Sequence, residues 1–410
     1  MKPDFDIVVV GGGMVGACLA SMLGSERELA DLRIALLEAK PPTLPPSPLE
    51  MDLRVSAISP ASQRILESVD AWSKISASAL SPYTEMTVWD AGARPHSPGS
   101  IHFSASATSE PYLGHIVENQ RIQWALFETA GLRRVTLLRA ELTHLDFEDE
   151  RVQLTLSDGR QIGAGLVVGA DGADSLSRRL AGIETDARNY EQRAFVTHVT
   201  TELPHQSTAW QRFLPAGPIA FLPLRDGRSS IVWTTTPAHA QSLMQLSQEQ
   251  LGNELTDALD GILGIVTPAA ERAHFPLRLI HARNYSRERF VLVGDAAHSV
   301  HPLAGQGVNL GFLDAAALVQ LLAEAASNGM AIAERPLLRR YERWRKSENA
   351  IALGLVDGLN ELFSNSSATL AWARRVGLTM VDRSRLAKSF LIGRAMGVAG
   401  DAPSVVKRLR

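Results

Sequence analysis

Phe5-Asp6-Ile7-Val8-Val9-Val10-Gly11-Gly12-Gly13-Met14-Val15-Gly16 stands near the start of the chain and decides the fold. Ile7 to Val10 are four β-branched residues in a row, the texture of a strand buried on both faces. The glycines satisfy G-x-G-x-x-G, and Met14 to Leu23 reads as the helix that they open. Arg33 to Leu37 is a second apolar strand, ending on Glu38, so the opening is a βαβ unit. Gly11 permits the tight turn, Gly13 lets the backbone approach a pyrophosphate, and Gly16 lets helix and strand pack closely. Amides at the helix start and the helix dipole favour a diphosphate. The Glu38 carboxylate accepts from a ribose diol and repels a 2′-phosphate. The interval from Gly11 to Glu38 is slightly long, which predicts a bulged loop around Glu26 to Asp31.

Outward from this unit, the prolines 41, 42, 45, 46 and 48 mark an exposed loop. Short strands alternate from about Val135 to Ile162, with Ser157-Asp158-Gly159 as a hairpin turn. Leu166 to Gly169 is a buried-type strand running into Asp171-Gly172. Between about Asp186 and Asn284 the texture changes to strand-like runs (Ala209 to Leu214, Ile219 to Leu224, Ser229 to Thr235) and one polar helix, Ala238 to Leu259. Phe290 to Val293 then leads into Gly294-Asp295, and a helix from Gly307 to Ala326 sets Leu310, Leu313, Ala317, Leu318 and Leu321 on one face. The remainder is helical. The expected organisation is α/β: a Rossmann-like dinucleotide-binding domain in two parts, 1–185 and 285–334, an inserted β-sheet substrate domain at 186–284, and a basic helical region at 335–410.

Composition bounds the rest. A chain of 410 residues predicts two domains. One cysteine, Cys18, excludes an internal disulfide framework and fits a reducing compartment. Among Ala17, Leu19 and Ala20 it reads as core rather than as a reactive thiol. The first apolar run is too short for a signal peptide, and no uninterrupted apolar stretch reaches spanning length. From Arg335 to Arg410 there are fifteen Lys and Arg against six Asp and Glu, a balance of +9 that leaves −12 elsewhere. Such asymmetry marks either a solvated helical face or a surface meeting an anionic partner. Nucleic acid is not favoured, because the tail holds no docking motif. His298 and His301 lack the acid cluster that a metal site needs.

Asp171-Gly172-Ala173-Asp174-Ser175 and Gly294-Asp295-Ala296-Ala297-His298 each follow a strand. With the glycine turn, they make the sequence resemble the class A flavoprotein monooxygenases, the aromatic hydroxylase group. That resemblance implies FAD, with Asp295 on its ribityl chain and Asp171 and Gly172 near the diphosphate. His301-Pro302-Leu303-Ala304-Gly305-Gln306-Gly307-Val308-Asn309-Leu310-Gly311-Phe312-Leu313-Asp314 looks like the signature of the ubiquinone-biosynthesis ring hydroxylases. Asp52-Leu53-Arg54-Val55-Ser56-Ala57-Ile58-Ser59 and Gly217-Pro218-Ile219-Ala220-Phe221-Leu222-Pro223-Leu224 are similar to the branch acting on the demethoxy quinol ring. The resemblance runs from Asp6 to about Val381.

The expected FAD site therefore comprises Gly11, Gly13, Val15, Gly16, Glu38, Arg54, Asp171, Asp295, Pro302, Gly305, Gln306, Gly307, Val308 and Asn309. Gly305 and Gly307 leave the backbone open to a flat ring, and the helix start near Gly307 favours negative charge on a reduced flavin. Asn309 is expected as a further donor to the ring, and His301 as a candidate acid or base. The family has Asn-Arg before its flavin-contacting helix. Here Asn119-Gln120-Arg121 displaces the arginine by one, so either Gln120 or Arg121 makes that contact.

The implied activity is ring hydroxylation of a polyprenylated phenol or quinol with O₂. No second G-x-G-x-x-G is present, so NAD(P)H, the expected donor, visits transiently or the electrons come from elsewhere. Trp210, Phe213, Phe221 and Trp233 are either pocket walls or ordinary core. Two other readings stay open: a same-fold isoprenoid reductase, and a catalytically silent FAD-stabilised subunit of a biosynthetic assembly. The expected location is the cytoplasm or the periphery of the inner membrane, with a membrane surface, a ubiquinone-biosynthesis complex or a second copy as partner.

Overall fold

The computed structural model describes residues 2–43, 51–299, 307–363 and 368–407. The chain begins with β1 (Phe5–Val10), α1 (Met14–Ser25) and β2 (Ile34–Leu37), and a 3-10 turn at Arg27–Leu29 takes up the long interval before β2. Next come β3 (Val55–Ile58), α2 (Pro60–Ser68), β4 (Ser81–Tyr83), β5 (Glu85–Asp90), β6 (Ser100–Ser104), β7 (Gly114–Glu118), α3 (Asn119–Phe127) and α4 (Ala130–Arg133). The middle runs through β8 (Thr136–Leu138), β9 (Leu142–Phe147), β10 (Val152–Leu156), β11 (Gln161–Gly169), α5 (Leu176–Leu180) and β12 (Thr185–Thr201). Then follow β13 (Thr208–Leu214), β14 (Gly217–Pro223), β15 (Ser229–Thr235), α6 (Pro237–Gln245), α7 (Gln248–Ala258) and β16 (Val266–Ala282). The chain closes with β17 (Ser286–Arg287), β18 (Phe290–Leu292), β19 (His298–Ser299), α8 (Gly307–Ser327), α9 (Arg335–Phe363), α10 (Ala368–Arg383) and α11 (Arg385–Ala395).

β1 lies inside the first sheet, parallel to β2 (Val8 opposite Ala35) and to β11 (Val8 opposite Val167). β18 extends that sheet beyond β11, and β8 extends it beyond β2. Ile7, Val8 and Val9 have no solvent exposure, which is why this strand is apolar on both faces. α8 is apolar and long enough to cross a membrane, yet it is mostly buried against α1, α2 and α9. It is the core helix of this domain.

The second sheet has the order β19-β16-β12-β15-β14-β13-β5-β6. It is larger than the stretch 186–284, because β5 and β6 join it from the first part of the chain; β5 lies parallel to β13, with Val88 opposite Gln211. The boundary at 185/186 thus does not separate the two sheets. α6 and α7 cover one face. There Leu243, Leu251, Leu255 and Leu259 bury Trp89, Phe195, Phe221 and Trp233, with Trp210 packed at the edge. Phe213 packs against Leu378 of α10. These four candidate pocket aromatics are therefore core.

The single helix expected at Ala238 to Leu259 is two. Ser247 breaks it with a capping box, its hydroxyl accepting from the Gln250 amide (3.1 Å) while the Gln250 side chain accepts from the Ser247 amide (3.0 Å). A third, small sheet, β3-β7-β4, wedges between the two larger ones. Its Ala57 and Ile116 pack on Ala209, Ala220 and Leu222.

Candidate functional site

The glycine turn is built as its spacing demands. Gly11 has φ of +100°, and a Cβ there would lie 2.6 Å from the carbonyl oxygen of Ala170. A Cβ on Gly16 would lie 1.9 Å from the Gly11 carbonyl oxygen, so no side chain fits at this helix–strand crossing. Gly13 differs: a Cβ there would meet nothing within 4 Å. It is the N-cap of α1 and gives that helix no side-chain cap. First-turn amides without a side-chain cap, opening onto free space, fit a diphosphate. Val15 contributes its place in that first turn, while its side chain packs against Gly294 and Gly311.

Glu38 is half-buried at the end of β2. Its Oε2 accepts from the Gly12 amide (2.8 Å) and its Oε1 from the Lys40 amide (2.8 Å). Those bonds aim the carboxylate at the glycine turn, where a ribose diol would sit. Gln123 of α3 donates from Nε2 to the Gly12 carbonyl at 2.8 Å, a turn contact missed in the sequence. Its sign was available: Gln123 lies one helical turn beyond Asn119, on the same face. Arg121 pairs with Glu118 beside the segment Asp52 to Arg54, whereas Gln120 is exposed on α3.

Asp295 follows Gly294, which has φ of +58°, at the end of β18. Its side chain is exposed on one side, yet burial by the surrounding protein raises its carboxyl above the ordinary range, with His298 and Arg54 opposing that shift. Arg54 is also exposed, and its guanidinium stands 5.9 Å over the Phe275 ring of β16. It spans from the Gly294–Asp295 turn to the second sheet. Asp171 lies behind Gly11, and its carboxylate accepts from Ser175 Oγ (2.6 Å), the Ser177 amide (2.9 Å) and Ser177 Oγ (2.7 Å). These bonds hold the shape of the turn.

The profile of the family described as FAD binding domain matches residues 4–352. The chain is 37% identical to 3-demethoxyubiquinol 3-hydroxylase of Escherichia coli K12, over 96% of this chain and 98% of that one. It is 36% identical to the ubiquinone hydroxylase UbiL of Rhodospirillum rubrum (99% and 92% covered). It is also 36% identical to the human mitochondrial ubiquinone biosynthesis monooxygenase COQ6 (91% and 88%). The chain belongs to the FAD-binding monooxygenase family. Among solved structures, p-nitrophenol 4-monooxygenase PnpA of Pseudomonas putida superposes with a TM-score of 0.76 at 20% identity, covering 98% of this chain and all of that one. PqsL of Pseudomonas aeruginosa gives 0.74 at 21% identity, over 91% of this chain and 99% of that one. Both share the fold.

The expected site also includes the start of α8. Gly307 and Val308 form its half-buried first turn. Asn309 is buried, and both polar atoms of its amide are engaged: Oδ1 accepts from the Ser59 amide (3.0 Å) and Nδ2 donates to the Ala57 carbonyl (2.8 Å). These two bonds clamp the start of α8 to β3 and the residue after it. His301, Pro302, Gly305 and Gln306 lie outside the described residues.

Behind the Gly294–Asp295 turn sits a buried cluster that sequence reading missed. Asp314 Oδ2 accepts from the Gly294 amide (3.1 Å) and pairs with His298 Nε2 (2.5 Å). Its Oδ1 accepts from Arg345 Nε (2.8 Å) and Asn349 Nδ2 (3.1 Å). Burial pushes the Asp314 carboxyl up, but His298 and Arg345 overcome this and hold it at about 2. The cluster ties α8 and α9 to the Gly294–Asp295 turn, and it gives His298 a carboxylate partner.

The face of the second sheet turned to β3 carries Ala209, Ala220 and Leu222, with Val232 beside them. On this small, apolar surface Gln211, opposite Ala220, is buried with its Oε1 unpartnered.

Proposed function

We infer that this protein is an FAD-dependent ring hydroxylase of ubiquinone biosynthesis, acting on the quinol or phenol ring of a polyprenylated precursor. The observation that carries this reading is the 37% identity to the E. coli hydroxylase, over 96% of a chain whose first α1 turn meets the Gly294–Asp295 turn through Val15. The amides at the start of α1 would hold the diphosphate, Glu38 the adenosine ribose and Asp295 the ribityl chain. Bound FAD would supply the redox chemistry, taking two electrons from a donor and passing them to O₂. The balanced reaction is ring C–H + O₂ + NAD(P)H + H⁺ → ring C–OH + NAD(P)⁺ + H₂O, with NAD(P)H as the donor we propose. The cytoplasm fits this reading, with the inner membrane as the source of the lipid-borne substrate.

The test is oxygen uptake by the purified yellow protein with NAD(P)H and a short-chain demethoxy hydroquinone. One hydroxylated product per O₂ is expected. Donor oxidation yielding only hydrogen peroxide, reduction of an isoprenoid double bond without oxygen uptake, or FAD binding with no turnover of any quinol would each overturn it.

A further inference from the structure

From α10 and α11 we infer a membrane-docking surface, with anionic phospholipid as its occupant. Residues 368–407 hold seven Lys and Arg against two Asp. Of the acids, Asp382 is already engaged, accepting from Lys388 Nζ at 2.8 Å and from the His102 amide at 3.2 Å. Arg383 and Arg385 are exposed and form no ion pair among the described residues. Between and beside them, Met380, Leu386 and Phe390 are 66%, 86% and 51% exposed. Large apolar side chains left this open are costly in water, and their grouping with unpaired cations is the makeup of an interfacial helix.

Both helices already have an inner face that is satisfied. Leu378 of α10 is buried with Val88 and Phe213, and Ile392 and Met396 are buried at the end of α11. The outward apolar residues are therefore surplus to the fold. A groove of about 540 Å³ runs along α10, floored by Val376, Met380 and Pro98 and rimmed by Arg375 and Arg383. Apolar floor and cationic rim fit the glycerol and phosphate of a lipid headgroup. On the other side of α11 lies a small cavity of about 60 Å³ between Tyr83, Met86 and Phe103 and the helix residues Leu391, Ile392 and Met396. Met86 and Tyr83 also pack on the Ala209–Ala220 face of the second sheet, so apolar packing continues from the docking helix to that sheet. Charge and exposure alone carry the docking, so it stands or falls separately from the substrate assignment.

The test uses the full-length FAD-loaded protein and sedimentation with phosphatidylglycerol–phosphatidylcholine vesicles. Attachment is expected at low salt, with loss at high salt and on pure phosphatidylcholine. Leu386→Ser/Phe390→Ser should lower partitioning about tenfold or more, and Arg383→Glu/Arg385→Glu should abolish the preference for anionic vesicles. Unchanged flavin content and Tm establish that these surface variants are folded. Wild-type protein left in the supernatant with anionic vesicles at low salt overturns the proposal. So does undiminished attachment of the serine variant, or a serine variant that changes only the oligomeric mass, which would make this face a contact between copies.

Discussion

Glu38 accepts from the Gly12 amide, so its carboxylate shapes the turn, and in the proposed function the same carboxylate would bind the ribose diol. The two tasks separate by substitution. Glu38→Gln keeps an acceptor for Gly12 and should weaken FAD modestly, whereas Glu38→Ala leaves that amide without a partner and should cost about 1–3 kcal/mol of FAD binding. Fluorescence titration of apoprotein with FAD measures both, and equal, negligible effects would remove Glu38 from the site. Cys18 illustrates the opposite case. It is fully buried, and burial pushes its thiol up to about 12, so its place beside the glycine turn carries packing and no chemistry.

At the level of elements, the site depends on α1 and α8 crossing closely. A Cβ on Gly311 would lie 2.5 Å from Val15 Cγ2, and Val15 also contacts the Gly294 backbone. Val15 is β-branched and has little rotameric freedom in a helix, so the clash cannot be relieved cheaply. Gly311→Ala should destabilise the protein by about 2 kcal/mol and loosen FAD, because the Gly294–Asp295 turn rests on the same valine. Adding Val15→Ala should recover much of the lost Tm. A scan showing no coupling between the two substitutions would place the helices farther apart. The capping box at Ser247 acts on the same scale: two side chains turn one predicted helix into two, which lets α6 and α7 both lie over the second sheet.

Across the whole molecule, two buried histidines make stability depend on pH. Burial holds His115 at about 4, between the rings of Trp72 and Tyr112. Burial, with Arg228 nearby, holds His198 at about 4. Both are neutral in the fold but take up a proton in the unfolded chain below about 6.5. Their contribution is therefore complete above that pH and is lost as pH falls toward 4, roughly 3 kcal/mol each. Asp314 adds a lower step, since its depressed carboxyl contributes above 3.8 and loses this as pH approaches 2. Calorimetry should show Tm falling between pH 6.5 and 4, and His115→Phe/His198→Phe should flatten that window. A wild-type profile flat down to pH 4 would mean that both histidines protonate within the fold.

The local geometry of the expected cofactor cradle is legible in short stretches of the chain. The β1–glycine–α1 unit, Glu38 at the end of β2, the Gly294–Asp295 turn and the C-terminal helices each announce themselves through periodicity or a turn residue within a few dozen positions. Gly11, Gly13 and Gly16 could be given separate tasks because a strand–turn–helix leaves only one place for each. Tertiary structure decided what such windows cannot hold. β5 joins the second sheet from more than a hundred residues before β13, since strand pairing has no local signature. Asn309 looked like a ring donor in its own segment, but β3, some 250 positions earlier, engages its amide. Asp314 is one letter in a signature until the fold brings Gly294, His298, Arg345 and Asn349 to it. The physical reason is common to all three. A backbone turn is selected by its own residues, whereas a buried polar side chain takes whichever partner the packing of distant elements delivers.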